Sequence, residues 1–373
     1  MSGRGTKSFL LSGARELLFS GARPLFAIAL ALLTSAGMIL ATGANPITAY
    51  AALLQGAVGN FVSIANTCVR ATPLLLGGIG VALGLKAGLL NVGVEGQIYA
   101  GAAAATAVGL IALPVPPCVH LFLAVLAGFL GGLLWAVIPG YLRAYRGISE
   151  IVVTLMLNYV GFYFISWLVE YPGILAEKGA VFPQSPPILE SAQLPVLIRG
   201  TSLHAGIILG VILALFFHLL LRYSPFGFRT RMVGENPEAA RYAGVNVTRQ
   251  ILMVILLFGG MGGLAGTGEV LGLKLRLFDA FSGGVGYEAI AVALLANGKP
   301  LGVILSAFFF GALKAGANKM QIVTGIETSM ALVVLALAVL FVIAIGFGER
   351  RLISRRRKRG KDQAAKETQA YGN

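Results

Sequence analysis

The sequence has few charged residues. Asp, Glu, Lys and Arg make up only 12% of its 373 residues, whereas 57% are hydrophobic. Soluble domains carry about 25% charged residues, so this chain lacks the polar surface that a protein needs in water. The composition therefore excludes an ordinary soluble globular protein, and we expect an integral membrane protein.

Cysteine and histidine are scarce as well. The two cysteines, Cys68 and Cys118, exclude a disulfide scaffold and a multi-cysteine metal site, and we do not expect them to pair. The histidines, His120, His204 and His218, are scattered without metal-ligand spacing. A GxxxxGK[ST] nucleotide-binding motif is also absent. We therefore expect no catalytic residues, bound metal or cofactor in this chain.

The chain instead has a series of apolar runs about 20 residues long, the length of a membrane-spanning helix. The period-2 alternation of a β-barrel is absent. We predict an all-α membrane protein with about ten spans in a domain covering 24–348, and the 50 glycines predict closely packed helices. The predicted spans are 24–43, 67–87, 94–113, 119–142, 148–169, 202–221, 251–272, 285–297, 301–317 and 329–347. The run 285–297 is only about half a span long, and 44–66 is predicted as an interfacial helix.

The basic residues predict the topology. The segment 1–23, the loop 222–250 and the tail 349–373 are rich in Lys or Arg, which places all three in the cytoplasm. The tail is read as a topology signal and anionic-lipid anchor rather than a nucleic-acid site. The loop 170–201 then lies outside, as a docking surface, a gate or a passive connector.

Polar side chains interrupt the apolar pattern at 84–97. Charges at membrane depth are costly and tend to be functional, so Asn91, Glu95 and Gln97 are predicted to line a transport pathway or its inner gate. The alternative is that these groups only satisfy the ends of a broken helix.

A second polar group lies on the span 148–169. Glu150, Thr154 and Asn158 are four residues apart and share one helix face, which either bonds to a neighbouring helix or lines the pathway. The same span carries three aromatic residues, interpreted as an interfacial belt rather than a stacking platform: Tyr159, Tyr163 and Trp167.

A short internal match links two parts of the chain. The tripeptide Gly-Leu-Lys occurs at 84–86 before Glu95, and again at 272–274 before Glu288. On the predicted topology the two copies have opposite orientations, which is typical of inverted five-helix repeats in transporters. Glu288 is therefore a further predicted pathway residue.

The cytoplasmic loop contains a predicted short helix. Asn236 suits the N-cap, Pro237 the first turn, Glu238 the positive end and Gly244 the residue after the C-cap. Such a helix either inserts into a cleft of a motor protein or merely connects two spans.

Four stretches carry a family resemblance: GLLNVGVEGQ, ISEIVVTLMLNY, GENPEAARYAGVNV and GYEAIAVALLANGKPLGVILSAFFFGAL. They resemble ABC-transporter permeases for nucleosides and simple sugars, in the larger group that includes ribose and branched-chain amino-acid permeases. The resemblance covers about 20–350 and implies a type II importer-like fold. It also implies a set of ATPase-coupling residues: Gly234, Glu235, Asn236, Pro237, Glu238, Arg241 and Gly244.

The favoured hypothesis is a plasma-membrane permease subunit that moves nucleosides by alternating access, with both termini in the cytoplasm. The resemblance implies a separate cytoplasmic ATPase that uses ATP and Mg²⁺, a second permease subunit, identical or homologous, and an external solute-binding lipoprotein or periplasmic protein. A ribose-like sugar or a branched-chain amino acid is the alternative solute. An ion-coupled secondary transporter, with Glu95 and Glu288 as cation sites, and a membrane scaffold remain further alternatives.

Overall fold

The computed structural model describes residues 29–41 and 43–327, with a few single positions between 329 and 341. The predicted segments 1–23 and 349–373, and almost all of the predicted span 329–347, lie outside these residues. The chain divides into two units, Met1–Ile47 with Ile326–Asn373, and Thr48–Gly325. In the first unit the described part contains helix α1, Ala29–Ala41, within the predicted span 24–43.

Helix α2 begins at the boundary, and the remaining helices follow in the second unit. They are α2 (Pro46–Val58), α3 (Phe61–Lys86), α4 (Val94–Gly109), α5 (Pro117–Trp135), α6 (Val137–Arg146), α7 (Glu150–Val169), α8 (Gly206–Tyr223), α9 (Pro225–Glu235), α10 (Pro237–Tyr242), α11 (Val247–Gly268), α12 (Val285–Leu295) and α13 (Pro300–Thr324). A π-helical turn, Glu269–Lys274, continues α11, and a 3₁₀ turn lies at Glu190–Ala192. The described residues form no β-sheet, so the all-helical class is confirmed for them.

Among the residues that the structure describes, six helical segments are long and apolar enough to cross a membrane. They are Phe61–Lys86, Pro117–Arg146, Glu150–Val169, Gly206–Tyr223, Val247–Lys274 and Pro300–Thr324. The predicted spans 94–113 and 285–297 are helical at α4 and α12, but these helices have only 16 and 11 residues. The count of ten spans and the inverted repeat therefore stay predictions.

The helices α3, α4 and α11 form the interior of the second unit. Helix α3 packs on α8, α11, α12 and α13, and α4 packs on α5, α7 and α11. Helices α5, α7 and α8 instead expose many large apolar side chains. Apolar residues outside and small residues inside are the pattern of a helix bundle in lipid.

Glycine allows the inner helices to touch through their backbones. A Cβ added at Gly132 of α5 would lie 2.6 Å from the Cα of Gly263 in α11, and one added at Gly101 of α4 would overlap the same residue. A side chain at these positions would force the helices apart. The predicted role of the glycines in close packing is thus confirmed where α4, α5 and α11 meet.

The loop 170–201 is ordered and packed. Its backbone N–H groups at Ser185, Ile188 and Leu194 donate to carbonyls of 271–277 at 2.7, 2.9 and 2.9 Å. Arg276 also forms an ion pair with Glu177 of the loop at 2.9 Å. The loop therefore covers the end of α11 and its π-helical turn.

Candidate functional site

The polar break between α3 and α4 is closed by its own side chains. Asn91 Oδ1 accepts a hydrogen bond from Gly93 N at 2.8 Å, and Asn91 Nδ2 donates to Gln97 Oε1 at 3.1 Å. Both amide side chains are fully buried. A backbone that leaves a helix inside a membrane must find such partners. These bonds favour the interpretation in which Asn91 and Gln97 satisfy the broken helix ends.

Glu95 joins the start of α4 to the start of α12. Its carboxylate oxygens accept hydrogen bonds from Gly284 N at 3.3 Å and from Gly286 N at 2.7 Å. These N–H groups belong to the first turn of α12, whose N-cap, Gly284, has no side chain that caps the helix. A negative group at a helix N-terminus is favourable both as an acceptor and because of the helix dipole. Glu95 thus supplies the missing cap from another helix.

The polar face of α7 forms hydrogen bonds with the same break between α3 and α4. Asn158 Oδ1 accepts from Gly96 N at 2.9 Å, and its Nδ2 donates to Val92 O at 2.9 Å and to the hydroxyl of Tyr287 at 3.2 Å. One side chain therefore connects the break, α4, α7 and α12. Asn158 is buried, so each of these hydrogen bonds is shielded from water.

Glu150 and Thr154 complete this face. Glu150 Oε1 accepts from Leu90 N at 3.3 Å, and Glu150 Oε2 pairs with Arg143 Nε at 3.1 Å. The Thr154 hydroxyl donates to the Glu150 carbonyl at 2.7 Å, and its methyl side packs against Gly93. Six predicted residues therefore meet at one place, which we call the polar junction: Asn91, Glu95, Gln97, Glu150, Thr154 and Asn158.

Glu288 lies on α12 but forms a separate ion pair. Lys314 Nζ of α13 donates to its two carboxylate oxygens at 2.8 and 2.7 Å, and both side chains are partly buried. Neither residue shares a hydrogen bond with the polar junction in the described part of the chain. Glu288 also differs from Glu95 in its partner, since Glu95 bonds to backbone N–H groups and Glu288 to an ammonium group.

Several charged and polar residues of this region were missed from the sequence. Lys314 lies inside the predicted span 301–317, where an isolated cation is itself a signal for a buried partner. Arg143 directly follows the predicted span 119–142, and the apolar pattern does not indicate its ion pair with Glu150. Buried Glu269 pairs with Lys274 at 3.2 Å in the π-helical turn, and because the two residues are five apart the i,i+4 pattern of an α-helix does not reveal the pair.

The predicted helix of the loop 222–250 forms as α10. Asn236 Oδ1 accepts from Glu238 N at 3.0 Å and from Ala239 N at 3.1 Å, and Pro237 is the first helical residue. Gly244 follows the C-cap with φ +83°, and its N–H donates to Arg241 O at 2.9 Å. Both predicted caps are confirmed. The side chains of Glu238 and Arg241 point away from the small core beneath α10 and are exposed.

Gly234 connects this loop to the break. A Cβ added at Gly234 would overlap the carbonyl oxygen of Lys86, the last residue of α3, and would lie 3.0 Å from Gly88 N. Gly88 has φ +74°, a conformation that glycine adopts without strain. The end of α9 therefore rests directly on the backbone that leads into the polar junction.

The residues of this site lie within a match to a known protein family. Residues 63–344 match the family described as branched-chain amino acid transport system / permease component. The chain belongs to this permease family. The matched range includes the whole polar junction and the α9–α10 loop, and the resemblance seen in the four sequence stretches is confirmed.

Relatives of this permease match over nearly their whole length. The guanosine ABC transporter permease protein NupP of Bacillus subtilis is 36% identical over 90% of this chain and 97% of its own. The glucose ABC transporter permease protein TsgB13 of Haloferax volcanii is 33% identical over 88% of each chain. The nucleoside ABC transporter permease protein NupB of Lactococcus lactis is 30% identical over 87% of this chain and 90% of its own.

Membership in the family defines the general class of this permease. It is a multi-pass integral membrane protein and a transport subunit rather than an enzyme. Within the residues that the structure describes, no group of three or more His, Cys, Asp or Glu residues could hold a metal ion.

Proposed function

We propose that this chain is the membrane-spanning subunit of an ATP-driven importer of nucleosides. The observation that carries the proposal is the 36% identity to a guanosine permease over nearly both full lengths. A relative named for nucleosides matches over a similar range. The solute would pass by alternating access, while a separate cytoplasmic ATPase hydrolyses ATP with Mg²⁺.

The polar junction would form the inner gate of the pathway. Its side chains are buried and bonded to backbone groups of α4 and α12, so they hold the shape of the break instead of contacting solute. Because one cluster joins α4, α7 and α12, a shift of the break displaces all three helices. Glu288 and Lys314 would keep α12 and α13 together during that shift.

Helix α10 would be the contact with the ATPase. Its two caps make it rigid, and Glu238 and Arg241 on its exposed surface are available to a partner. A push on α10 is transmitted by Gly234 to the end of α3 and so to the polar junction. The coupling residues would be Gly234, Glu235, Asn236, Pro237, Glu238, Arg241 and Gly244.

The charge distribution supports the orientation of the proposed complex. The arginines at 143, 146, 222, 229, 231, 241 and 249 gather at one end of the helices α6 to α11, which the positive-inside rule assigns to the cytoplasm. Both termini would then be cytoplasmic, with the ATPase below α10. A second permease subunit would complete the pathway, and an external binding protein would deliver solute on the side of the loop 170–201.

Uptake of labelled guanosine tests the proposal. The complete transporter, with its own ATPase and binding protein, is expressed in cells that lack nucleoside uptake. We expect ATP-dependent uptake that Glu238→Ala and Arg241→Ala abolish, with the same amount of permease in the membrane. Arg146→Ala, which removes an exposed charge at the end of α6 outside the coupling residues, is the matched control and should retain full uptake. Uptake that persists without ATP and collapses with the proton gradient would show an ion-coupled transporter instead.

A sugar is the second candidate solute. It is favoured by the 33% identity to a glucose permease over 88% of each chain. Competition separates the two candidates, since an excess of unlabelled glucose should leave guanosine uptake unchanged if nucleosides are the solute. Labelled glucose uptake with no nucleoside uptake would make the sugar assignment correct.

A further inference from the structure

Helix α7 carries a row of exposed aromatic side chains. Tyr159, Tyr163 and Trp167 are spaced four residues apart, and Tyr171 continues the spacing just beyond the helix end. All four are more than half exposed. Residues four apart lie nearly above one another on a helix, so these rings follow one side of α7. We call these four residues the aromatic row.

The depth of the row argues against a lipid-facing belt. Tyr159 lies nine residues after Glu150, the first residue of α7, which is about 14 Å along the axis and close to the middle of a ~30 Å hydrocarbon core. Tyrosine normally prefers the two membrane interfaces, where its hydroxyl reaches water. The row therefore begins where an interfacial belt does not occur.

The hydroxyl groups of the row add a second argument. Tyr159 and Tyr163 have no hydrogen-bond partner among the residues that the structure describes. A hydroxyl group held in hydrocarbon without a hydrogen-bond partner is strongly unfavourable. This side of α7 is thus better suited to a hydrated path than to lipid.

Tyr287 of α12 contacts α7 near the inner end of the row. Its ring is 42% exposed, and its hydroxyl accepts the hydrogen bond from Asn158 Nδ2 at 3.2 Å. Asn158 directly precedes Tyr159 in α7, so Tyr287 contacts α7 at the level along the helix axis where the row begins. The Tyr287 O–H remains free to donate to a polar solute. A stacking surface and a hydroxyl donor therefore occur at the same depth of the bundle.

We propose that the aromatic row is the surface on which the base of a nucleoside stacks as it moves from the outer mouth to the middle of the membrane, where Tyr287 meets it. This inference rests on the proposed nucleoside import. Stacking suits the passage of a nucleoside because every base has a π-face. Similar rings in series also bind the base at several sites of comparable affinity, so no one site holds it tightly. A free sugar has no aromatic base and cannot form this base-to-ring stack.

Kinetics of the complete transporter test the role of the row. Tyr163→Leu and Trp167→Leu should each raise the KM for guanosine about tenfold, the effect of losing one stacking partner. Tyr163→Phe keeps the ring and should restore a KM near that of the wild type. Phe122→Leu on α5 and Phe216→Leu on α8 remove similarly exposed aromatic rings elsewhere and should leave the KM unchanged. Membrane amount and co-purification of the other subunits are measured for every variant.

The outcomes separate this inference from the proposed function. If the wild type takes up guanosine and both leucine variants keep the same KM, the proposed stacking role of the aromatic row is wrong, while nucleoside import stands. A wild type that takes up sugar but no nucleoside overturns the row together with nucleoside import. Loss of a co-purifying permease subunit from the leucine variants, with an unchanged KM, assigns this side of α7 to a subunit contact and also overturns the inference.

Discussion

Replacement of Gly93 by alanine tests whether the fit between α4 and α7 sets the stability of the polar junction. Gly93 precedes α4 with φ −85° and ψ 10°, which alanine also adopts. A Gly→Ala change without strain would normally stabilise a protein by about 0.4–1 kcal/mol, because it restricts the unfolded chain. Any loss of stability must therefore come from packing.

The packing around Gly93 leaves no room for a methyl group. A Cβ built there would lie 2.6 Å from Thr154 Cβ and 2.9 Å from Thr154 Cγ2, whereas real Cβ atoms essentially never approach closer than 3.0 Å. Helix α7 must then move away by at least 0.4 Å, the difference between 3.0 and 2.6 Å. Overpacking of this kind costs about 1–3 kcal/mol, which exceeds the entropic gain. We expect a net loss of about 1–2 kcal/mol.

Thermal unfolding of the purified permease in detergent measures this loss. The Tm should fall by roughly 2–8 °C, at about 2–4 °C per kcal/mol. Gly268→Ala is the control, since a Cβ there meets its neighbours at 3.8 Å and should leave the stability unchanged or raise it by up to about 1 kcal/mol. In the double variant with Thr154→Gly, the effects should not add, because the overlapping atoms are gone. A Gly93→Ala permease as stable as the wild type, or strictly additive effects, would refute the reasoning.

Two further predictions concern single buried groups. Glu95→Gln keeps one acceptor for the first turn of α12 but loses the charge, and should lower the free energy of unfolding by about 1–3 kcal/mol, measured by thermal melting. The control Glu170→Gln changes an exposed residue and should leave the melting curve unchanged. Burial lowers the pKa of His204 to about 4, and Gly206 N donates to its Nδ1 at 3.2 Å. The folded protein thus favours neutral His204. The contribution of this preference to the free energy of unfolding, about 3 kcal/mol, is complete above pH 6.5 and is lost as the pH falls from 6.5 to 4. The melting temperature of His204→Gln should therefore depend less steeply on pH across this range, and equal slopes in both proteins would contradict the assignment.

Features encoded by neighbouring residues were predictable from the sequence. The caps of α10 at Asn236 and Gly244 follow from local backbone chemistry and appear as expected. The shared face of Glu150, Thr154 and Asn158 follows from helical periodicity alone. The lengths of the apolar runs predicted the positions of most helices, because an apolar run is also a property of neighbouring residues.

Features that depend on distant parts of the chain were not predictable. Glu95 bonds to Gly286, which lies 191 residues away, and no periodicity connects the two. The predicted span 119–142 divides at Ala136 into α5 and α6, although its apolar pattern continues across the division. The sequence identified which polar groups were unusual, but not whether their partners were solute, water or backbone. That distinction needs the packing of α4, α7 and α12.

The contacts at Gly101, Gly132 and Gly263 also restrict how such a permease can change over time. Backbones that touch have no intervening side chains that could adjust to a new neighbour. A bulky substitution in one of these helices therefore cannot be compensated by a smaller residue in the next, because there is nothing left to shorten. Substitutions in α4, α5 and α11 are consequently coupled, and a chimaera between related permeases must exchange all three helices together.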